Sequence, residues 1–248
     1  MALIDSPRLT PRDRDHWARL EHLDDALSHD PRLDTMQDKA ARELSKAKTG
    51  YIGCTWGKDS MVVAHLAAIT DSPLPLVWVR LDGLENPDTE PVRDVFLERF
   101  PHVRYEEITI PATGVRRWWH PADYKGTDHG PDAGFRLAAA RFGGHYVSGV
   151  RAEESTTRAL TVARNGTHSA GSTRPIARWT GVDVFAYLHK HDLPVHPAYA
   201  MTMGGTLDRI QVRVSSIGGV RGTGRHRRVW EETYYPDVIR AAKTREGL

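Results

Sequence analysis

The period of the apolar residues changes several times along the chain, and each change marks an element. Trp17, Leu20, Leu23 and Leu27 recur at helical spacing, as do Leu33, Met36, Ala40 and Leu44, with Asp30-Pro31 between the two sets. Proline disfavours helix at the residue before it, so two helices are predicted, split there and each with one packing face. Residues 49–52 are brief and apolar enough for a buried strand, after which Met61, His65, Leu66 and Ile69 return to helical spacing. Residues 74–81 read as a second strand, followed by a helix through Val92, Phe96 and Phe100 and a strand near 103–108. Between 113 and 134 the period is lost around Trp118-Trp119, which predicts a flexible segment able to cover a site. Leu137, Ala138 and Phe142 predict another helix, and residues 145–150 another strand. Thr180 and Asp183 have capping-box spacing ahead of a helix with Val182, Phe185 and Leu188 as its core face. One last helix carries Trp230, Tyr234, Val238 and Ile239. Strands alternating with helices predict an α/β fold on a parallel sheet.

Composition narrows the chemistry. The 248 residues are 40% hydrophobic with a formal net charge of +2. That is enough chain for a substantial core, and it has no polyelectrolyte character. The single cysteine, Cys54, excludes an internal disulfide framework, a zinc site of several cysteines and an iron–sulfur cluster held by four cysteines of this chain. No His-Glu-x-x-His occurs among the thirteen histidines, so no zinc is expected. The start lacks an apolar h-region and no apolar run could span a bilayer, which makes cytoplasmic the expected location.

The candidate chemistry begins at Gly53-Cys54-Thr55-Trp56-Gly57-Lys58-Asp59-Ser60, between the first core strand and its helix. First-turn N–H groups of a helix have no intrahelical partner, and the helix dipole favours an anion there. Lys58 adds a cation, Ser60 a hydroxyl donor, and Asp59 a carboxylate suited to Mg²⁺ or to orienting the loop. Nucleotide phosphates are the natural occupant; an ordinary helix N-cap is the competing reading. The spacing is not that of a Walker loop, because Asp59 rather than Ser or Thr follows Gly57-Lys58.

Other candidates follow downstream. Ligands of open parallel sheets lie outside the carboxyl ends of the strands, so Asp82 and Glu85 are expected near Lys58, with turn formation as the alternative. Arg151 follows a strand. If Glu154 opens a helix, Arg158 lies one turn further along the same face; a surface Arg–Glu network is the alternative. Two prolines fix the backbone beside His196 and Tyr199. The tail sets Arg209, Arg213, Arg221, Arg225, Arg227 and Arg228 among glycines. Guanidinium forks match phosphate or sulfate oxygens. A solvated basic loop is the alternative, and nucleic acid ranks last because no RNA- or DNA-binding motif accompanies the charge.

The loop resembles the pyrophosphate loop, Ser-Gly-Gly-x-Asp-Ser, of the adenine nucleotide alpha hydrolase superfamily. Thr55 to Ser60 take its six positions; Thr55 keeps the first hydroxyl, and Trp56 replaces a Gly. With the stretches 149–158, 174–188 and 193–199 in order, roughly 50–199 looks like the phosphoadenosine phosphosulfate (PAPS) reductase family, which includes the small subunit of ATP sulfurylase. The resemblance implies a Rossmann-like parallel α/β sheet flanked by helices and binding an adenine nucleotide. The expected regions are a helical extension at 1–48, a nucleotide-binding domain at 49–199 and a basic segment with the final helix at 200–248, packed on that domain. Thr55, Trp56, Gly57, Lys58, Asp59, Ser60, Arg151 and Arg158 are expected at the phosphates, with Lys58, Asp59 and Arg151 catalytic and Asp59 on Mg²⁺. Asp82, Glu154, His196, Arg221, Arg225 and Arg228 are expected around the substrate anion.

The reductases of that family resemble one another in a C-terminal Glu-Cys-Gly-x-His motif, and nothing after Tyr199 here contains cysteine. A thiolate is the nucleophile of that reaction. The resemblance therefore points to the ATP-using branch, an ATP pyrophosphatase-type enzyme that cleaves between the α and β phosphates and adenylylates an acceptor such as sulfate. The expected partners are ATP with Mg²⁺, a small acceptor, and a second subunit or a second copy of the chain. Two other readings stay open: a reductase-like protein using an external thiol, and a nucleotide-binding subunit without catalysis.

Overall fold

The computed structural model describes residues 1–126, 131–219 and 225–248. In chain order its elements are β1 (Ala2–Leu3), α1 (Pro11–Ser28), α2 (Arg32–Leu44), β2 (Tyr51–Gly53), α3 (Lys58–Ile69), β3 (Leu76–Leu81), α4 (Thr89–Arg99) and β4 (Tyr105–Ile110). Then come α5 (Pro131–Phe142), β5 (Tyr146–Val147), α6 (Thr156–Asn165), β6 (His168–Ser169), β7 (Ser172–Thr173), α7 (Gly181–Lys190), β8 (Pro194–Val195), α8 (Arg225–Tyr234) and α9 (Pro236–Arg245). The main sheet has the order β4-β3-β2-β5-β7-β6. All its neighbours are parallel except the β6–β7 hairpin. This is the α/β class expected from the alternation of strands and helices.

The side chains of each strand alternate between two faces. Tyr51 and Val77 pack with Ala138 of α5 on one side, while Ile52, Leu76 and Trp78 enter the larger core on the other. Helix α3 is buried at every residue from 60 to 68, as befits a helix that is apolar on all sides. The chain runs outward through β2, β3 and β4, then crosses to β5 on the far side of β2. That reversal makes the β2–β5 boundary the topological switch point, where open sheets of this class bind ligands. Among the described residues no helix is long and apolar enough to cross a membrane.

The N-terminal segment is knitted into this core. Strand β1 pairs in parallel with β8, and Thr10 and Asp13 cap α1 reciprocally behind Pro11. The split between α1 and α2 falls at Asp30-Pro31 as the sequence predicts, and α2 buries Leu33, Ala40 and Leu44. The face of α1 differs from expectation. Leu23 is 51% exposed, and the buried positions are Asp13, Trp17, Asp24 and Ser28. Both oxygens of Asp24 are held by Arg209, one at 2.7 Å, and that guanidinium lies 3.9 Å from the Phe185 ring centroid. A paired carboxylate can occupy a buried stripe, and a count of apolar residues alone does not see it. Arg209 is therefore a structural tie and not part of an anion site.

Four more expectations are corrected. Leu137 and Val182 are exposed rather than core, since α5 and α7 turn neighbouring residues, Ala138 and Val184, inward. The stretch from 113 is not a loose cover. Trp118 and Trp119 donate their indole N–H groups to Glu231 at 2.6 Å and Glu246 at 2.9 Å, which straps the segment to the C-terminal helices; its residues 127–130 lie outside the described residues. The last helix is two, α8 and α9, divided before Pro236, where proline cannot donate the helical hydrogen bond.

The Asp24–Arg209 pair yields a test. Arg209→Ala strands a buried carboxylate and should lower the unfolding free energy by about 3–5 kcal/mol, read from the urea midpoint of the purified protein.

Candidate active site at the β2–β5 boundary

Strand β2 ends at Gly53, and the chain turns through residues 54–57 into α3. Gly57 is the N-cap in extended backbone, with no side-chain capping bond. The Lys58 N–H donates to the Tyr199 hydroxyl at 2.9 Å. The N–H groups of Asp59 and Ser60 follow in the first turn, where no intrahelical acceptor exists. The Ser60 hydroxyl donates to the Gly57 carbonyl at 3.0 Å and stands 3.5 Å from the exposed Thr55 hydroxyl. The loop thus presents the donors expected of an anion site.

Trp56 explains itself in three dimensions. Its φ is 58°, the left-handed region where the superfamily's Gly would sit without penalty. For a residue with a Cβ that conformation costs roughly 1–2 kcal/mol. The ring is fully buried, with centroids 5.5 Å from Phe96 and 5.4 Å from Tyr105, and burial of an aromatic of this size offsets the strain. The loop keeps its shape and the indole leaves it. The expected phosphate contact therefore falls to the backbone of Trp56, not to its side chain.

The charges are organised by Asp59. One oxygen accepts from Lys58 Nζ at 2.8 Å, the other from Arg151 Nε at 2.6 Å. Both cations are buried, their side chains 4% and 1% exposed. Burial works against the charge of Arg151, but the carboxylates of Asp59 and Glu153 outweigh it and hold the group firmly protonated. Arg151 pairs with Glu153, which also accepts the Gly181 N–H at 2.6 Å, at the start of α7. The Arg151 N–H donates to Glu154 at 2.8 Å, and Glu154 pairs with Arg158. Gly149 makes this approach possible: a Cβ there would stand 2.8 Å from the Asp59 carbonyl. Glu154 does not open the helix as expected, because Ser155 is extended and caps α6 at Thr156; it pairs with Arg158 across that cap and organises cations.

Asp59, the expected Mg²⁺ ligand, has both oxygens engaged by cations in this arrangement. Among the described residues no group of three His, Cys, Asp or Glu is placed to hold a metal ion. Cys54 is no nucleophile either. It is fully buried, and burial pushes its thiol up to about 12, so the thiolate is absent at neutral pH.

Other expected site residues lie elsewhere. Val77 pairs with Gly53, so Asp82 stands just past the end of β3, five residues and about 16 Å beyond the level at which β2 ends. Glu85 accepts the Leu81 N–H at 2.6 Å, and burial raises its carboxyl to about 7. It borders a cleft of about 400 Å³ with Arg80, Glu90, Asp237 and Arg245, apart from the loop. His196 is buried and accepts the Ala198 N–H at Nδ1 (3.0 Å), leaving Nε2–H for the Thr89 hydroxyl at 3.1 Å. It is a neutral turn cap, not an anion ligand. Arg228 is exposed, paired with Glu232 at 3.0 Å and stacked 4.6 Å from the Trp118 ring. Arg221 and the Arg225 side chain lie outside the described residues. Conversely, Tyr199 and Glu153 belong to the site without having been expected at the loop. Tyr199 also lies under Lys58 Nζ, 5.3 Å from its ring centroid. Glu153 had a signal, its place between Arg151 and Arg158; Tyr199 had only its neighbouring prolines.

Two tests follow from this geometry. Trp56→Gly should cost about 3–5 kcal/mol of stability while leaving calorimetric affinity for inorganic pyrophosphate unchanged. Loss of affinity in a folded variant would return the ring to the site. Burial pushes both His65 and His196 down to about 3, His65 with added repulsion from His191 and Arg99. Below about pH 6.5 the unfolded chain takes up protons these two rings refuse, so stability should fall as pH drops, by up to about 1.4 kcal/mol per pH unit for each ring. Melting temperatures between pH 8 and 4 read this directly; a flat profile through pH 5 would contradict it.

Residues 136–225 match the family described as Phosphoadenosine phosphosulfate reductase domain, a stretch that holds Arg151, Arg158 and Tyr199. An adenosine 5'-phosphosulfate reductase of Burkholderia cepacia is 41% identical over 59 residues, 23% of this chain and 24% of that protein. One of Staphylococcus haemolyticus (strain JCSC1435) is 29% identical over 154 residues, 57% of this chain and 61% of that protein. The matches thus span about a quarter and three fifths of these relatives' lengths. Among solved structures, phosphoadenylyl-sulfate (PAPS) reductase from Candida auris, in a phosphate complex, aligns at 13% identity and TM-score 0.45, over 66% of this chain and 88% of that one. NMN synthetase from Francisella tularensis aligns at 16% identity and TM-score 0.47, over 65% and 71%. The chain resembles the phosphoadenosine phosphosulfate reductase family, and the matched stretch is the part of the fold that supplies Arg151 and Tyr199 to the site.

Proposed function

We propose that this chain binds ATP, cleaves it between the α and β phosphates and transfers AMP to a small acceptor. One observation carries the reading: Lys58 and Arg151, from either side of the switch point, share the Asp59 carboxylate at the N-terminus of α3. Two buried cations held beside free helical N–H donors form a site for a polyphosphate, and Asp59 sets where they stand. In the transfer, an acceptor oxygen bonds to the α phosphorus, the bond from that phosphorus to the bridging oxygen breaks, and pyrophosphate leaves with the electron pair. Lys58 and Arg151 offset the charge that builds on the leaving group. Such a preorganised stabiliser typically contributes about 10²–10³ in rate. The first-turn N–H groups of Asp59 and Ser60 hold the phosphate oxygens, and Arg158, partly exposed and paired with Glu154, extends the cationic wall.

A second reading is favoured by the names of the relatives, which are adenosine 5'-phosphosulfate reductases. That chemistry needs a thiolate, and the one thiol in this sequence, Cys54, is buried and protonated. Such an activity here would draw its thiol from a partner protein.

ATP labelled in the γ phosphate separates the readings. Incubation with candidate oxyanions should give labelled pyrophosphate together with AMP or an AMP adduct, and Lys58→Ala should lower the rate about 10²–10³-fold in protein that still unfolds cooperatively. Release of ADP alone would sink the proposal. Thiol-dependent release of sulfite from adenosine phosphosulfate would establish the second reading instead.

A further inference from the structure

The buried cations described so far are paired: Lys58 and Arg151 with Asp59, and Arg209 with Asp24. Arg117 is different. It is 1% exposed, and its Nε and Nη2 atoms have no hydrogen-bond partner. These two nitrogens lie on one edge of the guanidinium, the edge that grips two oxygens of a carboxylate, sulfate or phosphate in parallel. Burial holds the group below the ordinary arginine range, as for a cation with no anion in contact.

Carboxylates of Glu246, Glu85 and Glu231 balance Arg117 from a distance, and none of them bonds to its Nε or Nη2. Glu231 accepts from Trp118, from the Gly218 N–H at 3.0 Å and from Arg227. Glu246 accepts from Trp119 and from His120 at 2.9 Å. Glu85 accepts the Leu81 N–H. The charge is offset, and the fork is left unfilled.

The backbone is shaped around the fork. The Trp118 N–H donates to the Gly218 carbonyl at 3.1 Å, and Arg117 forms an isolated bridge with Gly219. Gly218 has a φ of 83°, and a Cβ there would stand 2.4 Å from the Trp119 ring and 3.1 Å from Arg117 Cδ. Only glycine lets the tail close on the guanidinium this tightly. The same tail reaches the phosphate loop: the Val214 Cβ is 3.6 Å from where a Cβ on Gly57 would lie. Gly218 is four positions after Val214, at most about 14 Å of extended chain. Between them the Ile217 N–H docks on the Leu84 carbonyl at 2.7 Å, at the end of β3.

We propose that Arg117 anchors a second anion site, which takes a carboxylate, sulfate or phosphate group side-on within reach of the phosphate loop. As the acceptor's site it rests on the adenylyl-transfer reading; as an anion site it does not.

The test uses the full chain without nucleotide, with sulfate, phosphate or acetate titrated against chloride at equal ionic strength. Lys58→Ala removes the phosphate-loop cation and should retain anion binding. In that background Arg117→Met and Arg117→Lys should each weaken binding of the preferred anion about 10- to 100-fold, the worth of charge-assisted hydrogen bonds. Arg117→Lys keeps the charge and loses only the fork. In chloride alone Arg117→Met should melt at or above the unsubstituted protein, because it removes an unpaired buried charge. Undiminished anion affinity in both Arg117 variants would overturn the proposal. So would Arg117→Met melting far below the parent, which would mark a structural pairing. If ATP cleavage fails while anion affinity follows Arg117, the site stands and the transfer reading falls.

Discussion

Two buried cations, one at the start of α3 and one in the turn after β5, can stand side by side here only because one carboxylate lies between them. Asp59 accepts from Lys58 and Arg151 with separate oxygens, and the rest of the candidate site is arranged about that bridge. Unit charges 4 Å apart interact by about 4 kcal/mol at the dielectric typical of partly buried pairs. Without the bridge, Lys58 and Arg151 would repel one another at the switch point. With it, they form a cationic pair that waits in position. The same bridge engages both carboxylate oxygens, and in this arrangement Asp59 serves the site as the anchor of two cations.

The surroundings keep the bridge in register. Glu153 ties Arg151 to the start of α7, and α7 leads through β8 to Tyr199, whose hydroxyl accepts the Lys58 N–H. The loop's strained residue is held from the opposite side, by the Trp56 ring between Phe96 and Tyr105. Gly149 lets the end of β5 close against α3. Each contact joins two elements distant in sequence, so the geometry of the site depends on the packed core beneath it.

The outer parts of the chain close around this centre. Arg209 pins the tail to α1 through Asp24, Val214 rests on the phosphate loop, and the Trp118-Trp119 strap holds the C-terminal helices. Basic residues that look alike in a list thereby part into distinct roles. Arg209 is internal structure, Arg228 is a surface pair, and Arg117 keeps an unfilled fork.

Local patterns were enough for much of the fold. Helical spacing, the proline at 31, the Thr180–Asp183 box and the alternation of strands with helices each act within a few residues, and each appears in three dimensions. The loop ahead of α3 and the Glu154–Arg158 pair were legible for the same reason, since a helix N-terminus and a pair four residues apart are local devices. What could not be read was which polar groups find partners across the chain. Asp24 is buried because Arg209, 185 residues away, satisfies it; His196 is a cap because Thr89 and Ala198 occupy its two nitrogens; and Trp56 fits a glycine's place because the core accepts its ring. Lys58-Asp59-Ser60 marked, from sequence alone, a strand–loop–helix junction with the chemistry of an anion site. That Asp59 would be spent on two cations was decided only when β5 folded beside β2 and brought Arg151 to it.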